Sequence, residues 1–163
     1  MYSRTTSLEF TCLDCGATWE TWMDIEGWSV DDLRLGSNNF LNMPSSTERL
    51  WTLLEGPSNI GDNYGSRMKG WLVPPVTGNY TFWIASDDQG EFWLSTDEDR
   101  ENMVRACRVP ISVAKKREWT WFRQQESPPI SLVAGKAYYF EVRLLILHQY
   151  HIIIIIIIAH NKL

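Results

Sequence analysis

Hydrophobic and polar residues alternate with a period of two over short stretches, and no segment sustains a long helical period. The most regular stretch is 78–85. There Tyr80, Phe82 and Ile84 fall on one face, and Thr81, Trp83 and Ala85 on the other. The run Ser86-Asp87-Asp88-Gln89-Gly90 breaks the pattern, which resumes over 91–95 with Phe92 and Leu94 on one face. Two such runs around a five-residue turn predict a β-hairpin. A strand is predicted at 67–73, closed by Pro74-Pro75 and preceded by the turn-rich Gly61-Asp62-Asn63-Tyr64-Gly65. Another is predicted at 104–109, ended by Pro110. Residues 130–133 and 137–142, around Ala134-Gly135-Lys136, predict a second hairpin. Short strands separated by Gly and Pro turns indicate an all-β chain, a sandwich or a barrel.

The ends differ from this middle. Residues 1–18 are a polar leader, and 19–35 are mixed, with Trp22, Ile25, Val30 and Leu33 expected on short helical or irregular turns. Residues 37–44 read as loop. The domain is placed at 19–143 and an atypical apolar tail at 144–163. The tail includes seven consecutive isoleucines, 152–158, far short of the roughly 20 apolar residues that cross a bilayer, so no transmembrane segment is expected. The run is either a buried final strand or a repeat artefact, such as a translated trinucleotide tract; the artefact is preferred here. The first ten residues lack the apolar stretch of a signal peptide, which suits a cytoplasmic protein or, better, an excerpt of a longer one.

Composition narrows the function. A length of 163 residues suits one domain, and 44% hydrophobic residues suffice for one core. Aromatics make up 13%, including nine Trp; such rings suit sheet faces and sugar-binding surfaces alike. The net charge of −5 argues against nucleic acid. Lys115-Lys116-Arg117, followed by Trp119, Trp121 and Phe122, is read as a solvated loop. Cys12-x-x-Cys15 lacks the further ligands zinc needs and the βαβ setting of a redox motif. A disulfide from Cys107 to one of the pair would leave an odd thiol, and the cysteines weakly favour an oxidising compartment. The three histidines, His148, His151 and His160, all lie in the tail, and neither a nucleophile elbow nor a phosphate loop occurs, so no enzyme is expected.

Candidate chemistry centres on Asp87 and Asp88. Adjacent carboxylates repel unless a cation or a set of donors lies between them, and calcium accepts 6–8 oxygen ligands in flexible geometry. A solvated turn is the plain alternative. The stretch GDNYGSRMKGWLVPPVTGNYTFWIASDDQGEFWLSTDED, residues 61–99, closely resembles the PA-14 domain family, named for the anthrax toxin protective antigen. The resemblance extends through TWMDIEGWSVDDL and FLNMPSSTERL upstream, and through Arg117-Glu118-Trp119 and SPPISLVAGKAYYFEV downstream, covering about residues 19–142.

This resemblance implies a two-sheet antiparallel β-sandwich, used as a non-catalytic module of larger surface or secreted proteins. It implies extracellular carbohydrate recognition, in which two aspartates joined by a cis peptide hold a calcium ion that binds sugar hydroxyls. Asp87 and Asp88 occupy the matching place and would be the calcium ligands. The wider ligand-binding set is Asp87, Asp88, Gln89, Asp62, Asn63 and Trp93, with Trp93 a candidate for ring stacking although core packing suits it better. For Asp62 and Asn63 a turn role is favoured. Asn79-Tyr80-Thr81 fits an N-glycosylation site at Asn79. One departure counts against the full site. The second, Asn-bearing loop of the adhesins is missing, since Glu141-Val142 runs straight into RLLILHQYHIIIIIII. The alternatives are therefore a structural or protein-interaction module with no sugar site, or an accessory segment of a glycan-active enzyme.

Overall fold

A computed structural model of the chain describes residues 17–25, 27–35, 43–50, 54–56, 60–110 and 118–147, together with the backbone of 154–160. Among the described residues nine strands form two antiparallel sheets, confirming the all-β sandwich. The strands are β1 (Ala17–Trp22), β2 (Ser46–Leu50), β3 (Tyr64–Leu72), β4 (Gly78–Ala85), β5 (Gln89–Ser95), β6 (Met103–Val109), β7 (Ile130–Leu132), β8 (Tyr138–Ile146) and β9 (Ile154–His160). The larger sheet has the order β2-β1-β3-β8-β5-β6, and the smaller has β7-β4-β9. A one-turn helix, α1 (Asp32–Leu35), lies between β1 and β2.

Alternation places the core between the sheets. Trp19, Met68, Phe92, Phe140, Val142 and Leu144 point inward from the larger sheet, and Tyr80, Phe82 and Ile84 from the smaller. The Phe82 and Phe92 rings meet across the interface with centroids 4.9 Å apart. That contact exposes a difference from the sequence-based expectation. β4 and β5 are not a hairpin; they belong to opposite sheets, and residues 86–88 form an arch between them. The second expected hairpin is likewise an arch, with β7 in one sheet and β8 in the other. A period of two cannot separate these cases, because an apolar face is needed both by two paired strands and by two facing strands.

Two further elements differ. The mixed stretch beginning at residue 19 opens with a strand, β1, paired on both sides with β2 and β3. Residues 154–160, inside the isoleucine run and its flank, are a strand paired with all of 79–85. β-branched residues favour extended backbone, which accounts for the tract's conformation.

The outer face of the larger sheet has two zones. One is a ladder of charges: Glu20 with Arg67 and Lys69, Glu141 with Arg100 and Arg143, and Glu91 with Arg105. The other is apolar. Trp22, Gly65, Leu145 and Gln89 sit in register across β1, β3, β8 and β5, and Ile25, Val30 and Leu33 close over that row as a second small core. Gly65 is required there, because a Cβ would collide with a Leu33 methyl. The segment after β1 is thereby folded onto the same end of the sandwich as the 86–88 arch.

Candidate functional site

The arch is braced from within. Ser86 Oγ donates to the Asp88 carbonyl at 2.6 Å, and the Leu147 N–H donates to Asp88 Oδ2 at 2.7 Å. Asp88 is only 4% exposed, so one of its oxygens has a structural task, fastening the arch to the end of β8. Asp87, half-buried, occupies the tip. Beneath them lies Tyr64, whose hydroxyl is pushed up to about 12, first by burial and then by the charges of Asp87 and Asp88. Two negative charges therefore gather at this end of the molecule.

Gln89 ties the arch to its neighbour. Its Oε1 accepts from Val30 N–H at 3.3 Å, and its Nε2 donates to the Trp28 carbonyl at 2.9 Å. Asp32 holds the same loop from the other side: Oδ2 accepts from Trp28 N–H at 2.8 Å, Ser29 N–H at 2.9 Å and Ser29 Oγ at 3.1 Å. The Trp28 and Ser29 hydrogen bonds hold the Asp32 carboxyl below the usual range. Gly27 has φ 149°, and a Cβ there would overlap the Asp32 side chain, so this turn accepts only glycine. Ile25 N–H donates to the Asn63 carbonyl at 2.8 Å. Asn63 itself takes φ 51°, a left-handed conformation that Asn tolerates.

The residues expected at the site therefore divide. Asp87, Asp88 and Gln89 share the arch. Asn63 reaches the same end through its backbone, with its side chain and that of Asp62 exposed on the turn. Trp93 does not belong here. It lies five residues past Asp88, roughly 16 Å along an extended strand. Its ring sits 4.8 Å from the Arg143 guanidinium and 5.8 Å from that of Arg105, and its Nε1 donates to Glu91 Oε2. It belongs to the outer charge ladder and not to the core, because odd-numbered residues of β5 face outward, and its distance along the strand keeps it from the site. Asn79 is exposed at the far end of β4, where its Oδ1 accepts from Ser131 Oγ at 2.7 Å.

Three expectations concern ligands and cysteines. Among the described residues no peptide bond is cis, so the cis linkage implied for Asp87 and Asp88 is absent. Among them, too, no group of three or more His, Cys, Asp or Glu side chains is assembled around a common point. At the arch the two carboxylates are those of Asp87 and Asp88, and one Asp88 oxygen accepts from Leu147 N–H. Cys107 is a free thiol, buried and pushed up to about 12 by that burial, so the disulfide considered for it is not formed. Cys12, Cys15 and the basic run 115–117 lie outside the described residues.

Sequence reasoning missed Trp28 and Tyr64. Trp28 is 78% exposed beside the arch, and its local signal, Gly27 followed by Trp-Ser and then Asp32, is visible only once the cap geometry is known.

An antiparallel sandwich with loops from both sheets gathered at one end defines the fold class. The PA14 domain family matches residues 41–158, well over half of the chain, and this protein belongs to that family. Fibrocystin of Canis lupus familiaris is 33% identical over 89 residues. N-acetyl-beta-glucosaminyl-glycoprotein 4-beta-N-acetylgalactosaminyltransferase 1 of Mus musculus is 40% identical over 87 residues. These stretches cover 50% and 49% of this chain but only 2% and 8% of those proteins, so the chain spans a small part of the relatives it matches. Among solved structures, the Epithelial Adhesin 9 A domain of Candida glabrata, in complex with Galb1-4GlcNAc, superposes with a TM-score of 0.63 at 12% identity, covering 100% of this chain and 91% of that one. The PA14 domain of the MpAFP antifreeze protein gives 0.61 at 12% identity, covering 99% and 89%. A beta-glucosidase from Kluyveromyces marxianus also matches, and 16% of its length is covered. No described helix is long and apolar enough to cross a membrane.

Proposed function

We propose that this chain is a non-catalytic glycan-binding module of a larger extracellular or cell-surface protein, and that the glycan binds where the 86–88 arch meets the loop at 27–30. The observation that carries this reading is the joint placement of Asp87, Asp88, Gln89 and an exposed Trp28 at one braced end of a PA14 sandwich. Carboxylates and amides accept and donate the paired hydrogen bonds that sugar hydroxyls require, and an aromatic ring covers their C–H faces. The likeness to adhesin domains solved with bound disaccharides supports the same site class.

Calcium enters the proposal in a limited form. Asp87 and Asp88 would be its side-chain ligands, and the ion would supply a Lewis-acidic point for sugar hydroxyls. With so few protein ligands its affinity belongs in the weak range, about 10⁻⁴–10⁻³ M. The role of Asp88 Oδ2 in fastening Leu147 favours a second reading, in which the arch is purely structural and the module binds protein partners.

A glycan array probed with the whole chain, once with calcium and once with chelator, separates these readings. We expect binding to a restricted set of glycans, and loss of that binding in Asp87→Asn. Binding unchanged by chelator would remove calcium and leave the glycan site. An array blank under both conditions would end the proposal in favour of the structural module.

A further inference from the structure

We infer that Trp28 is the stacking platform of the binding site, recognising a hexopyranose that presents a continuous C–H face. The inference rests on the glycan-binding reading above and names the residue that sets its ligand class. The ring is 78% exposed, while the peptide that carries it is fixed at every polar atom. The Trp28 N–H is bonded to Asp32 at 2.8 Å and the Trp28 carbonyl to Gln89 at 2.9 Å. On one side Gly27 packs against the Asp32 side chain, and on the other Val30 and Leu33 are buried under the loop. A mobile loop would let an indole fold down onto the nearest apolar surface. Here the backbone that carries the indole is held at both of its polar atoms, and the residue is 78% exposed.

Keeping so large an apolar surface in water forgoes the gain of burying it. A backbone already ordered, however, adds no loop-ordering cost when a ligand stacks on the ring it carries. Its position suits a sugar. The Gln89 side chain links the Trp28 carbonyl directly to the residue that follows Asp88. The Trp28 backbone and the arch are thus joined through one side chain, which puts the indole on the same end of the sandwich as Asp87, where one pyranose would stack its C–H face and direct its hydroxyls to the carboxylates. Trp71 and Trp121 are also exposed, but Trp71 lies seven residues along β3 from Tyr64, beside Tyr139, and donates to the Glu98 carbonyl, away from the 86–88 arch.

The test is a titration of the whole chain with the strongest glycan from the array, in the wild type and in Trp28→Ala, Trp28→Phe and Trp71→Ala, with a thermal melt of each. The expected result is an affinity at least tenfold lower in Trp28→Ala, most of it retained in Trp28→Phe, no change in Trp71→Ala, and the same melting temperature throughout. Glycan binding should also quench tryptophan fluorescence in the wild type and lose that signal in Trp28→Ala. If Trp28→Ala binds within twofold of wild type while Asp87→Asn does not bind, the platform is refuted and the glycan site stands. If the wild type binds no glycan, both fall together.

Discussion

Glu141 shows how much of this fold depends on single side chains. It is 0% exposed, although it projects from the outer face of β8. Its Oε1 accepts from Arg100 Nε at 2.7 Å and Tyr139 Oη at 3.0 Å, and its Oε2 from Arg143 Nε at 2.8 Å. Burial pushes the carboxyl up, but the Arg100 bond and the Arg143 charge and bond outweigh it, and the net shift is downward. A depressed carboxylate stabilises the fold above its unfolded value, and that stability is lost as pH falls through the folded value. Unfolding in denaturant at a series of pH values should therefore show a Glu141-dependent loss beginning below about pH 4.5, the ordinary glutamate value. At neutral pH, Glu141→Ala strands the buried Arg143 and should cost about 3–5 kcal/mol. Cys107 gives a second residue-scale expectation. With its thiol raised to about 12, it should stay unreactive toward a disulfide reagent at pH 8 in a Cys12→Ser/Cys15→Ser background, and react promptly in denaturant. Modification at the same rate in both conditions would contradict its burial. Neither role was legible in the sequence, where Glu141 is one acid in a strand and Cys107 one of three thiols.

At the scale of elements, the arch is the informative case. Gly90 begins the inner face of β5, where an added Cβ would lie 2.7 Å from Ser86 Oγ and 2.9 Å from a Leu144 methyl. Gly90→Ala should thus displace the Ser86 hydroxyl from the Asp88 carbonyl and destabilise the chain by about 1–3 kcal/mol, read from the denaturation midpoint. It should weaken glycan binding as well, since the arch carries Asp87. A variant as stable as the wild type would show that the arch relaxes freely. The sequence marked these residues as a turn with two carboxylates, and that much agrees with the structure. Its nature as an inter-sheet connection was not legible, because hairpin and arch share one alternation pattern. The segment after β1 was less legible still: its order comes from Asp32, Gln89 and Asn63, which lie 3 to 61 residues from the backbone groups they hold.

For the whole molecule, the isoleucine tract decides whether the smaller sheet exists. β9 pairs with β4 along its full length, and β7 covers only Gly78, Asn79 and Tyr80. Ending the chain at Leu147 would leave one edge of β4 without a neighbour, and an open apolar edge invites association. Such a truncation should elute as aggregate by size exclusion, bind a hydrophobic dye and lose cooperative melting. A monomeric, cooperatively melting truncation would show the tract to be dispensable. A glycan at Asn79 is compatible with the site proposed, since eight residues of extended β4, roughly 26 Å, separate it from Asp87. Mobility of the chain expressed behind a secretion signal in eukaryotic cells, with and without glycosidase treatment, would test that modification.

From the sequence alone came the β class, most strand positions, the PA14 resemblance and the importance of Asp87 and Asp88. These follow from local alternation, turn residues and a contiguous motif, all of which are written along the chain. Only the tertiary structure decided that consecutive strands face one another across the core and that Trp93 lies among arginines on the outer sheet. It alone placed Trp28 beside the aspartates. Those facts depend on which distant segments are brought into contact, and a period of two carries no information about the partner across the sheet or across the sandwich.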